Sequence, residues 1–186
     1  MDAAILKAMM TAPLRIGHAV DLKGLRFADP IDLSDAVIGN VDLSGTVFEA
    51  PVDFRRARFA GLAWFKASVF AADVDFSAAI FESDCRFDDA EFSGRASFAR
   101  TEMRGIAAFD RVGFAGAADL SDIVAFGNLS LAATRFRGPA SLRNTQCQGG
   151  LWLDLAVSRM ALDIAGLEVA GRLSQRGADL PQARKA

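Results

Sequence analysis

Large apolar residues recur along this chain at steps that alternate strictly between five and six residues. Eleven consecutive steps keep this alternation through the middle of the chain. The apolar positions there are Phe54, Phe59, Phe65, Phe70, Phe76, Phe81, Phe87, Phe92, Phe98, Met103, Phe109 and Phe114. The rhythm extends back to Leu22 and forward to Leu180, with a single slip between Ile38 and Leu43. Self-similarity at a fixed period indicates a repeat architecture.

Each repeat has the hydrophobic pattern of a very short strand. If the large apolar position is called i, residue i−2 is small or aliphatic and residue i−1 is mostly polar, as in Ala57-Arg58-Phe59. Apolar residues at alternate positions predict a strand with one buried face. The remaining residues suit turns, whereas a helical period would scatter the apolar positions around its axis. Each unit is therefore predicted to be a short strand and a corner, stacked on its neighbours as in a solenoid.

These residues resemble the pentapeptide-repeat family, whose motif is Ala, then Asp or Asn, then Leu or Phe, then two free residues. The matching segments are Ala57-Arg58-Phe59, Ala79-Ile80-Phe81, Ala90-Glu91-Phe92, Ala118-Asp119-Leu120 and Ala178-Asp179-Leu180. The resemblance implies an all-β fold, a right-handed quadrilateral β-helix with four faces per coil and the i and i−2 side chains inside. One extra residue at every second corner lengthens each coil to about 22 residues.

This register divides the chain into three predicted segments. Residues 1–13 form a helical cap, because good helix formers precede Pro13 and proline ends a helix. Residues 14–180 form the β-helix, and residues 181–186 form a flexible C-terminal tail. At the last coil, exposed strand edges would need a partner. The resemblance implies a homodimer through the C-terminal coil, because members of the family often pair there.

Stacking of equivalent positions predicts ladders of Phe rings inside the coils. Strands of a sheet lie about 4.8 Å apart, a spacing at which offset rings stack favourably. Fourteen of the fifteen Phe residues occupy position i, and Phe126 is the exception. There, either Ala125 leaves the core locally small, or a bulge turns Phe126 inward.

Composition and charge indicate one ordinary globular unit. The chain has 186 residues, of which 52% are hydrophobic and 24% are charged, and its net charge is −2. The longest run without a charged side chain is Ile123–Thr134, and a membrane-spanning helix needs roughly 18 residues or more. The N-terminus has no secretory-signal pattern. We therefore expect a soluble cytoplasmic protein with no membrane segment.

The residue inventory predicts no catalytic residue, no metal site and no cofactor, so we do not expect an enzyme. His18 is the only histidine, with no obvious carboxylate partner. Cys85 and Cys147 occupy core positions about three coils apart, roughly 13 Å, which is too far for a disulfide. Ligands clustered as a metal requires are not evident.

Two outward columns of i−1 residues are candidate interaction sites. One is an acidic column of Asp32, Asp53, Asp75, Asp119 and Asp163. Stacked like charges repel, so the column is either a binding feature or part of the structural motif. The other column, on the opposite face, contains Trp64 and Trp152. Each Trp either contacts a partner or packs over a neighbouring corner.

Charge is uneven along the predicted rod. Residues 27–94 hold 13 acidic and 5 basic side chains, net −8, and residues 95–186 hold 8 acidic and 12 basic ones, net +4. The best-known members of the family that the chain resembles imitate duplex DNA and bind DNA gyrase. The resemblance therefore implies a non-enzymatic protein-interaction scaffold, a DNA-mimicking modulator or protector of this type II topoisomerase.

Two alternatives stay open. The rod could be a structural spacer without its own partner, or a small-molecule binder or enzyme with a surface groove beside a Trp. Direct nucleic-acid binding is not expected, because base stacking needs exposed aromatic rings and the Phe residues are predicted to face inward. The arginines considered for it are Arg95, Arg100, Arg104, Arg111, Arg135, Arg137 and Arg143.

Overall fold

Four parallel sheets wind into a right-handed, four-sided β-helix of about seven coils. The computed structural model describes residues 3–12 and 18–181. Three predicted parts lie outside the described residues. They are Pro13, the start of the predicted β-helix at residues 14–17, and the predicted tail from residue 182 onward. An α-helix, Ala3–Met10, precedes the coils. The sequence prediction of an all-β solenoid with a short N-terminal helix is confirmed.

Every strand has two residues, and each strand pairs with the equivalent strand one coil away. The strands of the first sheet are Val20–Asp21, Val41–Asp42, Ala63–Trp64, Cys85–Arg86, Ala107–Ala108, Leu129–Ser130, Leu151–Trp152 and Leu173–Ser174. Those of the second are Arg26–Phe27, Val47–Phe48, Val69–Phe70, Glu91–Phe92, Gly113–Phe114, Arg135–Phe136 and Val157–Ser158. Those of the third are Ile31–Asp32, Val52–Asp53, Val74–Asp75, Ala96–Ser97, Ala118–Asp119, Ala140–Ser141 and Leu162–Asp163. Those of the fourth are Val37–Ile38, Arg58–Phe59, Ile80–Phe81, Glu102–Met103, Val124–Ala125, Gln146–Cys147 and Glu168–Val169.

The strand register confirms the predicted coil length and its single slip. Val20 pairs with Val41, which follows it by 21 residues. Val41 pairs in turn with Ala63, which follows by 22 residues, and the later coils keep this offset. The coil that contains the short step is therefore one residue shorter than the others.

The interior is filled by stacked phenylalanine rings, as predicted. In the second-sheet ladder the rings of Phe70 and Phe92 stack with centroids 4.9 Å apart. Phe65, Phe87 and Phe109 form another ladder, with centroid distances of 4.8 and 4.7 Å. Rings of neighbouring ladders meet edge to face, which is the second arrangement that aromatic pairs favour. The result is a continuous apolar core along the helix axis.

Two kinds of corner connect the sheets. At the five-residue steps, a two-residue turn is closed by a backbone hydrogen bond, as where the Ala57 N–H donates to the Phe54 carbonyl at 3.0 Å. The second turn residue has a positive φ, 57° at Arg56, as in a type II turn. At the six-residue steps the backbones of stacked corners approach closely. A Cβ atom on Gly127 would lie 2.3 Å from the Gly105 carbonyl oxygen.

The two ends of the described rod differ. At the N-terminal end, Leu6 and Met10 of the helix are buried in the same core as the coils. At the C-terminal end, Leu173 is 45% exposed although its position faces inward. Pro181, predicted to begin the tail, still accepts a hydrogen bond from the Leu162 N–H at 2.7 Å.

The ambiguity between Ala125 and Phe126 is decided in favour of a locally small core. Ala125 is fully buried, whereas Phe126 is 52% exposed. The backbone hydrogen bonds on both sides of the position are regular: the Phe126 N–H donates to Met103 and the Gln148 N–H donates to Ala125, each at 2.8 Å. A bulge would have interrupted this ladder.

Candidate interaction surfaces

The acidic column forms a straight line along the third sheet. Strand pairing places Asp32 beside Asp53 and Asp53 beside Asp75. Farther along the sheet, serines alternate with Asp119 and Asp163. Asp32 is exposed and the other four aspartates are partly exposed. The column is therefore continuous in its first three members and spaced by two coils beyond them.

Each carboxylate of the column also has a structural role. Its oxygen accepts a hydrogen bond from the backbone N–H two residues on, at 2.9 Å for Asp32, 2.9 Å for Asp53 and 2.8 Å for Asp75. Asp119 and Asp163 repeat this contact at 3.1 and 3.0 Å. These local hydrogen bonds satisfy the corner backbone. The structural explanation for the column thus has direct support.

Hydrogen bonds keep two of these carboxylates ionised. The Ser34 hydroxyl and N–H donate to Asp32 and lower the pKa of that carboxyl below its usual range. The Arg55 guanidinium forms a fork with Asp53, with Nε at 3.0 and 2.9 Å from the two oxygens, and lowers the pKa of Asp53. Both groups are therefore held as anions in fixed positions at neutral pH.

The Trp residues lie in one column of the first sheet, four coils apart, as predicted. Both are partly exposed. The Lys66 ammonium lies over the Trp64 ring, 5.5 Å from the centroid. The Trp152 ring covers the adjacent corner so closely that a Cβ on Gly150 would lie 2.2 Å from it. Trp152 therefore packs over a neighbouring corner and Trp64 packs against Lys66, and both residues stay partly exposed.

Four of the seven arginines considered for nucleic-acid binding, Arg104, Arg111, Arg135 and Arg143, are paired with carboxylates. The Arg111 guanidinium contacts Asp89 at 2.7 Å. Arg104 contacts Glu102 at 2.6 Å, and Arg135 reaches Glu91 at 3.4 Å. Their charges are consequently compensated within the rod, which weakens the case for a phosphate-binding surface.

Both cysteines are free and buried. Burial raises the pKa of the Cys147 thiol to about 11 and raises that of Cys85 further. Such thiols are protonated and poorly reactive at neutral pH. Within residues 3–12 and 18–181, no group of three or more His, Cys, Asp or Glu side chains is placed to hold a metal ion.

The repeat pattern did not reveal the hydrogen bonds and ion pairs that side chains form between neighbouring coils. The carboxylates of Asp73 and Asp84 accept the backbone N–H of Arg95 and Ile106 in the next coil, each at 2.8 Å. Arg56 forks onto Asp35 with two 2.7 Å hydrogen bonds. Opposite charges one coil apart in the sequence are the signal that could have indicated the Arg56–Asp35 pair. The contacts of Asp73 and Asp84 with the backbone have no such charge signal.

A four-sided solenoid of two-residue parallel strands with a Phe-filled interior defines a β-helical repeat protein. Residues 54–102 match a family model described as pentapeptide repeats, in nine copies. The resemblance to pentapeptide-repeat proteins is thus confirmed for this segment, and the same strand register continues on both sides of it. No curated protein matches the chain. This fold is compatible with an interaction scaffold and is typically non-enzymatic.

The described part of the chain contains a single helix, Ala3–Met10, which has eight residues. It is not long enough to cross a membrane.

Proposed function

We propose that this rod is a non-enzymatic interaction scaffold that binds the type II topoisomerase DNA gyrase by imitating the charge pattern of duplex DNA. The observation that supports the proposal is the line of five aspartates along the third sheet. Surfaces that bind DNA neutralise its phosphates with basic side chains. A line of carboxylates on a rigid rod is complementary to such a surface.

The hydrogen bonds of the column favour this role. Because Asp32, Asp53 and Asp75 are each fixed by a backbone N–H two residues on, their charges hold their positions before a partner arrives. Binding then costs less conformational entropy than it would with mobile side chains. The three are also one coil apart in the acidic part of the chain, so we place the centre of the contact there.

A supercoiling assay with purified gyrase tests the proposal. The wild-type rod should inhibit supercoiling or protect the enzyme from a gyrase-directed drug. The triple variant Asp32→Asn, Asp53→Asn and Asp75→Asn should bind at least about tenfold more weakly, because it removes three rigid charges. Each introduced Asn retains an oxygen that can accept the turn N–H, so the fold should persist.

A matched control makes the same charge change away from the third sheet. The variant Asp21→Asn, Asp84→Asn and Asp154→Asn should retain wild-type inhibition. Equal loss in both triple variants would show that total charge matters and the column does not. If the wild-type rod neither inhibits nor protects gyrase, the proposed partner is wrong.

We also propose that the protein forms a homodimer through its last described coil. Leu173 is 45% exposed, and Leu167 and Val169 of the same coil are only partly buried. Light scattering after size-exclusion chromatography should report a dimer that Leu173→Glu converts to a monomer. Phe126→Glu, at a comparably exposed residue on the side of the rod, should leave the dimer intact. A monomeric wild-type protein at high concentration would exclude the dimer.

A further inference from the structure

The first sheet carries an open depression of about 390 Å³ that the proposed gyrase contact does not use. Its floor is Ala108 and Ser130, whose small side chains interrupt the outward column between Arg86 and Trp152. Ile106, which is 50% exposed, precedes the floor strand. The depression is therefore lined by the aromatic ring of Trp152 and by the exposed apolar side chain of Ile106.

The carboxylate of Asp110 lines the same depression. Asp110 follows the Ala107–Ala108 strand, and its carboxylate accepts a hydrogen bond from the Ser130 hydroxyl. Ser130 is the residue that pairs with Trp152 in the next coil. The hydrogen bond thus directs the Asp110 charge toward the Trp152 end of the depression.

The other Trp of this column, Trp64, has a cation over its ring. Over Trp64 lies the ammonium of Lys66, two residues on in the sequence. The equivalent neighbour of Trp152 is Asp154, whose carboxylate accepts the Ser174 hydroxyl at 2.6 Å. Across residues 3–12 and 18–181 no cation lies over the Trp152 ring. Trp152 therefore lacks the cation that covers its counterpart.

The one basic side chain of the depression does not fill this place. Arg86 donates Nε and Nη2 to Asp88 at 3.0 and 3.2 Å, which compensates its charge. It is also three coils from Trp152, about 14 Å at the usual strand spacing. Asp84 lines the depression as well and accepts the Ile106 N–H at 2.8 Å. Negative charge consequently exceeds positive charge around the depression.

We infer that the depression binds the guanidinium group of an arginine carried by a partner protein, stacked on Trp152 and paired with Asp110. A planar guanidinium stacks on an aromatic face and forks onto a carboxylate, which an ammonium does less well. Apolar side chains next to that arginine would cover Ile106. This contact is independent of the proposed gyrase contact, which lies on the opposite sheet.

An NMR titration of the indole N–H signals tests the site. The Trp64→Phe variant leaves Trp152 as the only indole, because the chain has two Trp residues. The probes are the blocked peptide Leu-Arg-Leu, its neutral citrulline counterpart and methylguanidinium. The arginine peptide should shift the Trp152 signal saturably and bind at least about fivefold more tightly than the citrulline peptide.

Two further variants test the role of the carboxylate. Asp110→Asn retains an oxygen for the Ser130 hydroxyl. It should lower the affinity for the arginine peptide about three- to tenfold. Asp75→Asn, the same charge change on the opposite sheet, should leave binding unchanged. Equal affinity for both peptides, or unchanged affinity in Asp110→Asn, would overturn the inference. Methylguanidinium binding as tightly as the peptide would assign the site to a small cation and exclude the partner protein. None of these outcomes depends on gyrase.

Discussion

At the scale of single residues, the position of a phenylalanine within its repeat decides its role. Phe87 occupies position i, is fully buried and stacks between two rings. Phe126 is displaced by one residue from position i and is 52% exposed. The period-two pattern predicted the burial of the fourteen Phe residues at position i. It could not decide between Ala125 and Phe126, because a regular strand and a bulge satisfy the same pattern.

Truncation of a ladder ring should be far more costly than truncation of the exposed ring. We expect Phe87→Ala to lower the free energy of unfolding by about 3–5 kcal/mol, because it leaves a cavity that rigid stacked coils cannot close. Phe126→Ala should change it by less than about 0.5 kcal/mol. Urea denaturation followed by circular dichroism measures both values. Similar losses in the two variants would contradict the buried ladder.

At the scale of the repeat element, the two kinds of corner follow from the five–six alternation. The sequence predicted the extra residue at every second corner but not its consequence, which is the close approach of stacked backbones. Gly105, Gly127 and Gly149 stack at one such corner: Gly127 and Gly149 each approach the carbonyl oxygen of the preceding coil, and Gly105 approaches the carboxylate and backbone of Asp84. Distances between backbones one coil apart depend on sheet twist and corner shape, which a linear pattern does not specify.

Gly127→Ala should destabilise the rod through this contact. The added Cβ would lie 2.3 Å from the Gly105 carbonyl oxygen, so the backbone of one coil must move. We expect a loss of about 1–3 kcal/mol in the free energy of unfolding, as for other overpacked sites. Ser83→Ala, at the equivalent corner of an earlier coil, is the control and should be nearly neutral. Unchanged stability in Gly127→Ala would show that the coils are more widely spaced at this corner.

For the candidate sites, the sequence predicted the positions of the side chains but not their hydrogen bonds. Outward columns follow directly from the register, so Asp32, Asp53 and Asp75 could be placed in line from the sequence alone. Their hydrogen bonds to the turn backbone could not, because these depend on side-chain rotamers at each corner. The depression beside Trp152 could have been anticipated from the small residues Ala108 and Ser130 in its column.

At the scale of the whole molecule, ionised carboxylates and neutral thiols both link stability to pH. Asp53 and Asp89 have pKa values held low by the guanidinium groups of Arg55 and Arg111. A group whose pKa is lower in the folded state favours folding when it is ionised, so its contribution is lost as pH falls through that pKa. Cys147 acts at the other end of the scale, because burial raises its pKa to about 11. Its contribution is present below the unfolded thiol pKa, about 8.5, and is lost as pH rises toward the folded value.

The midpoint of thermal unfolding should therefore be highest between these limits and fall below about pH 4 and above about pH 9. Circular dichroism melts from pH 3 to pH 10.5 measure the profile. Asp53→Asn should reduce the acid decline, because the variant has no carboxyl to protonate beside Arg55. Cys147→Ala should reduce the alkaline decline and leave the acid one unchanged. An equal midpoint at pH 3 and pH 7 would show that these carboxylates are no better stabilised as anions in the fold than in the unfolded chain. That result would also weaken the gyrase proposal, since a DNA mimic of this design depends on charges that the fold itself holds in place.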